Sequence, residues 1–484
     1  MIADRPSVTN VTDHTRSHIS FLNYISTVNL NLAASEGQVP KTLCKRLGAK
    51  EQASRGDGLR VIADLHMHSR YSRATSENMN LEELQYYGAI KGLDIIGTGD
   101  FTHDKWLEGL KNRLTEVDDS GLFALRSADD RTRFVLSCEV STIFTYNNQS
   151  RHIHHVILTP RLEYAEDLSE KLSGYGDLSV DGRPTLEMSA AELVEIVVET
   201  SQENFIFPSH IWTPWFSILG ANNGFDSIEE CYQDQVSHVS ALETGLSSDP
   251  PMNWRVESLD RFALLSNSDS HSAWPWRIGR EANVFDLKRI SYRDIIDAIR
   301  SKDPARFLFT IETHPQYGKY HWTGHRKCNV SMPPAEALKL ENRCPRCGRK
   351  MVKGVEQRVE ELATRREGEN PTDALGFMHV LPLSEIIATA LRLESPALKK
   401  VWSIYNLLVG RFGSEVSVLL DASISDLRST AGDAIANVVT LMRQDRLHVI
   451  PGYDGVYGRL VLEDDSPHES DAPGPDKPGL WRYL

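Results

Sequence analysis

The chain has 484 residues, 40% hydrophobic and 25% charged, the mix of a globular protein with room for about three domains at roughly 150 residues each. No apolar run approaches the roughly 18 residues of a membrane span, so transmembrane classes are excluded along with fibrous and collagenous ones. Lys plus Arg is 53 and Asp plus Glu 67, a net charge of −14, which excludes a protein that is basic throughout.

Residues 1–58 are rich in Ser, Thr and Asn with weak periodicity, and read as a poorly ordered N-terminal extension. Asn23, Asn29 and Asn31 interrupt the apolar residues there, so no signal peptide is expected and the location is read as cytoplasmic. The 6 cysteines are too sparse for a disulfide scaffold, which agrees with a reducing compartment.

From Leu59 short apolar runs alternate with helical patterns. LRVIADLH, LDIIGTGD, RFVLSCEV, RHIHHVIL, NFIFPSH, VSALET and RFALLSNSDSH read as strands. LEELQYYGAIKG, DKWLEGLKNRL, SAAELVEIVVET (with Ser189 as cap) and SYRDIIDAIRS read as helices. Apolar runs with intervening helices predict an α/β fold with a parallel sheet, one barrel domain over 59–313. Residues 314–365 form a Cys/His-rich module; over His325–Lys353 eight Lys or Arg face two Glu. Residues 366–462 are predicted to be a largely helical C-terminal domain ending near PGYDGVYG, and 463–484 an acidic flexible tail.

Imidazoles and carboxylates sit at the ends of these runs. Asp64, His66 and His68 recur at i, i+2, i+4, one face of a strand. Asp100 and His103 end the next run, followed by Glu139, His152, His154, His155, His210, Asp269 and His271. Strand ends of a parallel barrel converge on one face, and His with carboxylate is the ligand set of zinc, manganese or iron. So many donors imply two or three divalent ions, a cluster suited to phosphoester hydrolysis. Glu243 in ALETG fits either a ligand or a structural acid and is left outside the set.

These motifs, in this order, resemble the PHP (polymerase and histidinol phosphatase) superfamily, whose members are distorted (βα)7 barrels with a di- or trinuclear metal site. The resemblance implies His66, His68, Glu139, His154, His210, Asp269 and His271 as ligands, Glu139 bridging and Asp269 the first to mutate. A ligand usual a few residues after the HxH falls near Arg73, and the usual TDH reads GDFTH, so Asp100 keeps its place, Phe101 replaces a histidine and His103 stands as substitute. SRYSRATSENM, GTGDFTHDKWL, HIWTPWFS, MNWR, WPWRIGRE, GHRKCNV, CPRCG, VEELA and PGYDGVYG narrow the match: over about 59–462 the chain resembles the endonuclease Q family of DNA repair nucleases. That resemblance implies a lesion-specific, multi-metal endonuclease (Zn, Mn, Mg or Fe) nicking DNA 5′ of uracil, hypoxanthine, xanthine and abasic sites.

His325, Cys328, Cys344 and Cys347 form two knuckles 15 residues apart, a tetrahedral Cys3His site for one structural Zn, with His321 as rival to His325. Candidates for contact with damaged DNA are Trp212, Trp215, Phe216, Trp274, Trp276, Arg277 and Arg280, which follow the motif histidines, and Arg326, Lys327 and Arg346 of the basic module. The terminal KPGLWRYL faintly resembles a sliding-clamp-binding peptide. The competing reading is a phosphatase for a small phosphate monoester; such a substrate needs neither the basic module nor the C-terminal domain. No GxxxxGK[ST] supports an ATPase.

Overall fold

In the computed structural model, residues 58–126 and 132–461 are described. The expectations for 1–57 and for the clamp-like peptide fall outside the described residues. The architecture is mixed α/β around a central sheet. In chain order the strands are β1 Leu59–Asp64, β2 Ile95–Gly97, β3 Leu114–Glu116, β4 Phe123–Leu125, β5 Arg133–Tyr146, β6 Gln149–Thr159, β7 Thr185–Leu186 and β8 Phe205–Pro208; β1, β2, β5, β6 and β8 follow the predicted runs, and β3, β4 and β7 do not. They continue with β9 Ala241–Glu243, β10 Ala263–Leu265, β11 Ala282–Leu287 and β12 Phe307–Glu312. β13 Thr323–His325 and β14 Val330–Met332 form a separate hairpin, and β15 Gly376–His379 returns to the sheet.

The path through the central sheet is β15-β12-β11-β1-β2-β5-β4-β3, with β6 on β5 and β8 on β6. β1, β2 and β5 run parallel, as expected. The all-parallel expectation fails at β6 and β11, which pair antiparallel with β5 and β1. At β6 the reason is local. Only Asn147 and Asn148 join it to β5, both at positive φ (48° and 58°), and a two-residue turn with left-handed residues closes an antiparallel hairpin. β9 and β10 pair parallel outside the main sheet.

Helices Leu81–Lys91 and Ala190–Thr200 start at Asn80 and Ser189, whose side chains accept from Glu83 N and Glu192 N. The first ends at Gly92, where φ is 97°. Residues 366–461 hold four helices, Leu383–Ala390, Lys399–Phe412, Ile424–Ala431 and Asp433–Arg443, but also β15, parallel to β12, and a final hairpin. One buried apolar cluster runs from Ile62 on β1 of the sheet to Met442 of the last helix. The Cys/His segment has a small core of its own: Val330, Met332, Ala337, Cys344 and Met351. Among the described residues no helix is long and apolar enough to cross a membrane.

Candidate metal centre

The loop after β1, the middle of β5 and of β6, the loop after β8 and the loop after β10 carry the motif residues to one place, so Glu139 is not at a strand end as its motif suggested. Gly99, at φ 67°, lets the chain after β2 lie against the first loop; a Cβ there would stand 2.6 Å from Met67 O. Glu139 on β5 is the hub. Its oxygens lie 3.7 Å from His66 Nε2, 3.3 Å from His68 Nε2, 3.1 Å from His154 Nδ1 and 3.3 Å from His210 Nε2. Asp269 Oδ1 lies 3.6 Å from His66 Nε2 and 3.0 Å from His68 Nε2. Two donor groups result, both containing Glu139: His66, His68, Glu139 and Asp269, and Glu139, His154 and His210.

Strand periodicity chooses between the neighbouring histidines. His154, opposite Ser141, shares the face that carries Glu139. His155 faces the other way, its ring held by Thr142 Oγ1 at 3.0 Å and Tyr232 Oη at 2.9 Å. Burial pushes His155 down to about 3.

The donor chemistry fits divalent cations. His66 Nε2 is buried, has no hydrogen-bond partner, and faces two carboxylates. Its other nitrogen is fixed by Glu243, 3.0 Å from Nδ1, and Glu243 in turn accepts from His210 N and Asn267 Nδ2. A histidine oriented by an outer carboxylate is the usual arrangement around a metal. His68 is held likewise, Nδ1 facing Asp100 Oδ1 at 3.2 Å and Ser72 Oγ at 3.1 Å. Burial pushes His154 and His271 down to about 4, leaving the neutral, metal-binding form. Against the effect of burial, Glu243, Glu139 and Asp269 raise His66, and His154, Arg183 and His66 hold Glu139 well below the usual carboxylate range. The cluster therefore draws positive charge.

Three expected ligands stand outside both donor groups. Asp100 Oδ2 accepts from Ser69 N, Ser69 Oγ and Ser72 Oγ at 2.6, 2.6 and 2.9 Å. His103 is buried at a helix start, stacked on Tyr71 with 4.3 Å between ring centroids. His271 is half-exposed, its ring 4.3 Å from that of His68. Asp64 is turned away to accept from Ser268 N and Gly279 N, and burial raises it to about 6.

His325, Cys328, Cys344 and Cys347 come together in a second place, with His325 Nδ1 3.4 Å from Cys347 Sγ. Gly348, at φ 70°, donates back to Cys344 O and closes the knuckle. His321 is buried apart, 3.7 Å from Glu356. The PGYDGVYG turn docks on this module: Tyr453 Oη donates to Asn329 Oδ1, and Arg326 N to Asp454 Oδ2.

The proposed DNA-facing residues divide. Trp215 and Phe216 are exposed, and Phe216 stacks on His154 at 5.0 Å. Arg326, Lys327 and Arg346 are exposed. Trp212 is a correction: it is fully buried, donating from its indole to Asn253 Oδ1, and cannot reach DNA. Arg277 is also buried, beside Tyr457 and Glu385, which removes it from backbone contact. Trp276 is half-buried, stacked on Trp274 and tilted against Trp402, and Arg280 donates to Ser268 O. Missing from the expected set were Glu243 as an orienting acid and Arg183, whose Nη1 lies 3.0 Å from Glu139 Oε2.

Residues 382–446 match the family described as the MJ0043 C-terminal domain. The crystal structure of the lesion-specific endonuclease PfuEndoQ from Pyrococcus furiosus is 31% identical, covers 84% of this chain and 98% of its own, and superposes with a TM-score of 0.75. Endonuclease Q in complex with a 27-mer duplex carrying an abasic lesion is 31% identical, covering 86% of this chain and 100% of its own, with a TM-score of 0.74. The uncharacterized protein MJ0043 of Methanocaldococcus jannaschii is 32% identical over 257 residues, 52% of this chain; the match spans 31% of that longer protein.

Proposed function

The chain belongs to the endonuclease Q family, and from that premise we propose that it is a metal-dependent DNA repair endonuclease that nicks duplex DNA 5′ of deaminated bases and abasic sites. The observation that carries this reading is the pair of donor groups sharing buried Glu139. The barrel of PHP type over 59–313, the helical C-terminal domain and the cytoplasmic location belong to the same proposal.

Two divalent ions would be held by His66, His68, Glu139 and Asp269 and by Glu139, His154 and His210. When bound, such ions polarise the phosphodiester and lower the pKa of water. The protein's own residues do the rest. Glu243 fixes the His66 tautomer by accepting from Nδ1, leaving Nε2 free to ligate. Asp100, saturated by Ser69 and Ser72, orients His68 without ligating. Ser209 Oγ donates to Glu139 Oε1 at 2.8 Å and orients the carboxylate common to both donor groups. Phe216 offers an exposed ring beside the centre for a base unstacked from the duplex. The Cys3His group would take one structural Zn and hold Arg326, Lys327 and Arg346 toward phosphates.

The test is a nicking assay on end-labelled duplexes carrying one deoxyuridine, one deoxyinosine, one abasic site or no lesion, with Mn2+ or Mg2+. A cut immediately 5′ of a lesion, absent from the undamaged duplex and from Asp269→Ala protein, is the expected result. Hydrolysis of a phosphate monoester with every duplex intact would replace this reading by the phosphatase.

A further inference from the structure

We propose that Arg183 is a catalytic residue whose guanidinium holds a non-bridging oxygen of the scissile phosphodiester and stands where a PHP site would otherwise recruit a third cation. This rests on the phosphodiesterase reading above.

The positions expected to complete a third ion's shell stand outside both donor groups. Arg73 is exposed and pairs with Asp181 at 3.3 Å. Asp100 has its Oδ2 filled by three donors, and His103 lies under Tyr71. What reaches the cluster instead is a fixed positive charge. Arg183 Nη1 donates to Glu139 Oε2 at 3.0 Å, and the charges of Asp269 and Asp181 act on the same guanidinium.

The loop that delivers it is built for the purpose. Asp181 Oδ1 accepts from Arg73 N at 3.1 Å and Arg183 N at 3.2 Å, Gly182 N donates to Tyr71 O at 3.0 Å, and Ser141 N to Pro184 O at 2.9 Å. Gly182 is required for the close approach, since a Cβ there would lie 2.3 Å from Asp100 Oδ2. These bonds tie the loop to the first motif and to β5 at once.

A structural ion pair alone does not account for the arrangement. Glu139 already faces four imidazoles and Ser209 Oγ. Among the described residues the guanidinium donates to Glu139 alone, and the side chain is 25% exposed beside the donor groups. A planar fork with free donors, always charged, matches two oxygens of a phosphate.

The test compares full-length, metal-loaded wild-type protein with Arg183→Lys, Arg183→Gln and Arg183→Ala on a lesion duplex and on bis(4-nitrophenyl) phosphate. Metal per chain is read by mass spectrometry, and binding of inorganic phosphate by calorimetry. We expect unchanged metal content, kcat reduced about 100-fold or more with KM less affected, and phosphate affinity reduced about tenfold. Guanidinium chloride should partly restore the Ala variant. Loss of metal in step with activity, kcat close to wild type, or no response to guanidinium would each overturn the proposal. Wild-type cleavage of the simple diester with every lesion duplex intact would sink the lesion reading instead, and Arg183 would still be judged on the diester and on phosphate binding.

Discussion

Asp100, His210 and Asp269 sit at φ 50°, 32° and 47°, a left-handed region that non-glycine residues rarely occupy. Such strain persists where the surroundings over-determine it, and it gathers at functional sites. Around these three the supports are polar and buried, and Glu243 is the most connected: it reaches His66, the His210 backbone and Asn267. Glu243→Gln should lower metal affinity about 10- to 100-fold while Asn267 keeps a partner; titration of bound metal checks it, and wild-type affinity would remove Glu243 from the centre. His155 carries the pH prediction. Its folded value is about 3 against an ordinary 6.5, so the unfolded chain binds a proton that the native one refuses. Stability contributed here is present above about pH 6.5 and is lost as pH falls toward 3, at about 1 kcal/mol per unit. His155→Asn should flatten that slope in denaturant titrations at pH 4 to 7. The ligand types were legible in sequence because metal chemistry restricts them to His and carboxylate in spaced motifs. Glu243 and Arg183 were not, since one acid in ALETG or one arginine in DGRPT has no spacing to betray it. Trp212 misled because two residues after His210 the side chain packs inward.

At the scale of elements, β1, β2, β5, β6, β8, β9 and β10 were legible from apolar runs and the parallel order of β1, β2 and β5 with them, while the direction of β6 and the strands β3, β4, β7, β11 and β12 were not. The antiparallel turn of β6 rests on Asn147 and Asn148, and β15 joins β12 from more than 60 residues away, a pairing with no local signal. The Cys/His knuckles were legible because a Cys pair enclosing Pro345 and followed by Gly348, with an HxxC upstream, has little other use. Their module has a core of five buried residues, small enough that the zinc proposed for it would contribute much of its stability. Cys344→Ser should therefore cost the bound zinc and add an early transition to the thermal melt. It should weaken duplex binding and flatten its salt dependence, because the exposed Arg326, Lys327 and Arg346 would no longer be held in place. Hydrolysis of bis(4-nitrophenyl) phosphate should survive, since neither donor group at Glu139 includes a residue of the module. An unchanged salt slope would move the DNA surface elsewhere.

Across the described residues, sheet and C-terminal helices share one apolar core, and a buried charge pair helps tie them. Lys91, the last residue of the helix before β2, donates from Nζ to Glu415 Oε1 at 2.8 Å and to Pro275 O at 2.9 Å. Glu415 also accepts from Leu383 N and Tyr405 Oη, so each end of the pair has hydrogen-bond partners beyond the other although both are buried. A pair at this depth contributes little net stability over an apolar match, but removing one partner strands the other charge. Lys91→Met should therefore destabilise the protein by about 3–5 kcal/mol. Adding Glu415→Gln removes the stranded charge, leaving a carbonyl oxygen to accept from Leu383 N and an amide N–H to donate to Tyr405 Oη, and should recover much of the loss. Denaturant unfolding of the two single variants and the double gives the coupling directly. Additive losses would mean that the helices are held by the apolar contacts of Val416, Leu419 and their neighbours alone. A non-additive result would mean that this ion pair fixes how the C-terminal helices seat against the loop after Asp269, where Pro275 lies between the stacked Trp274 and Trp276.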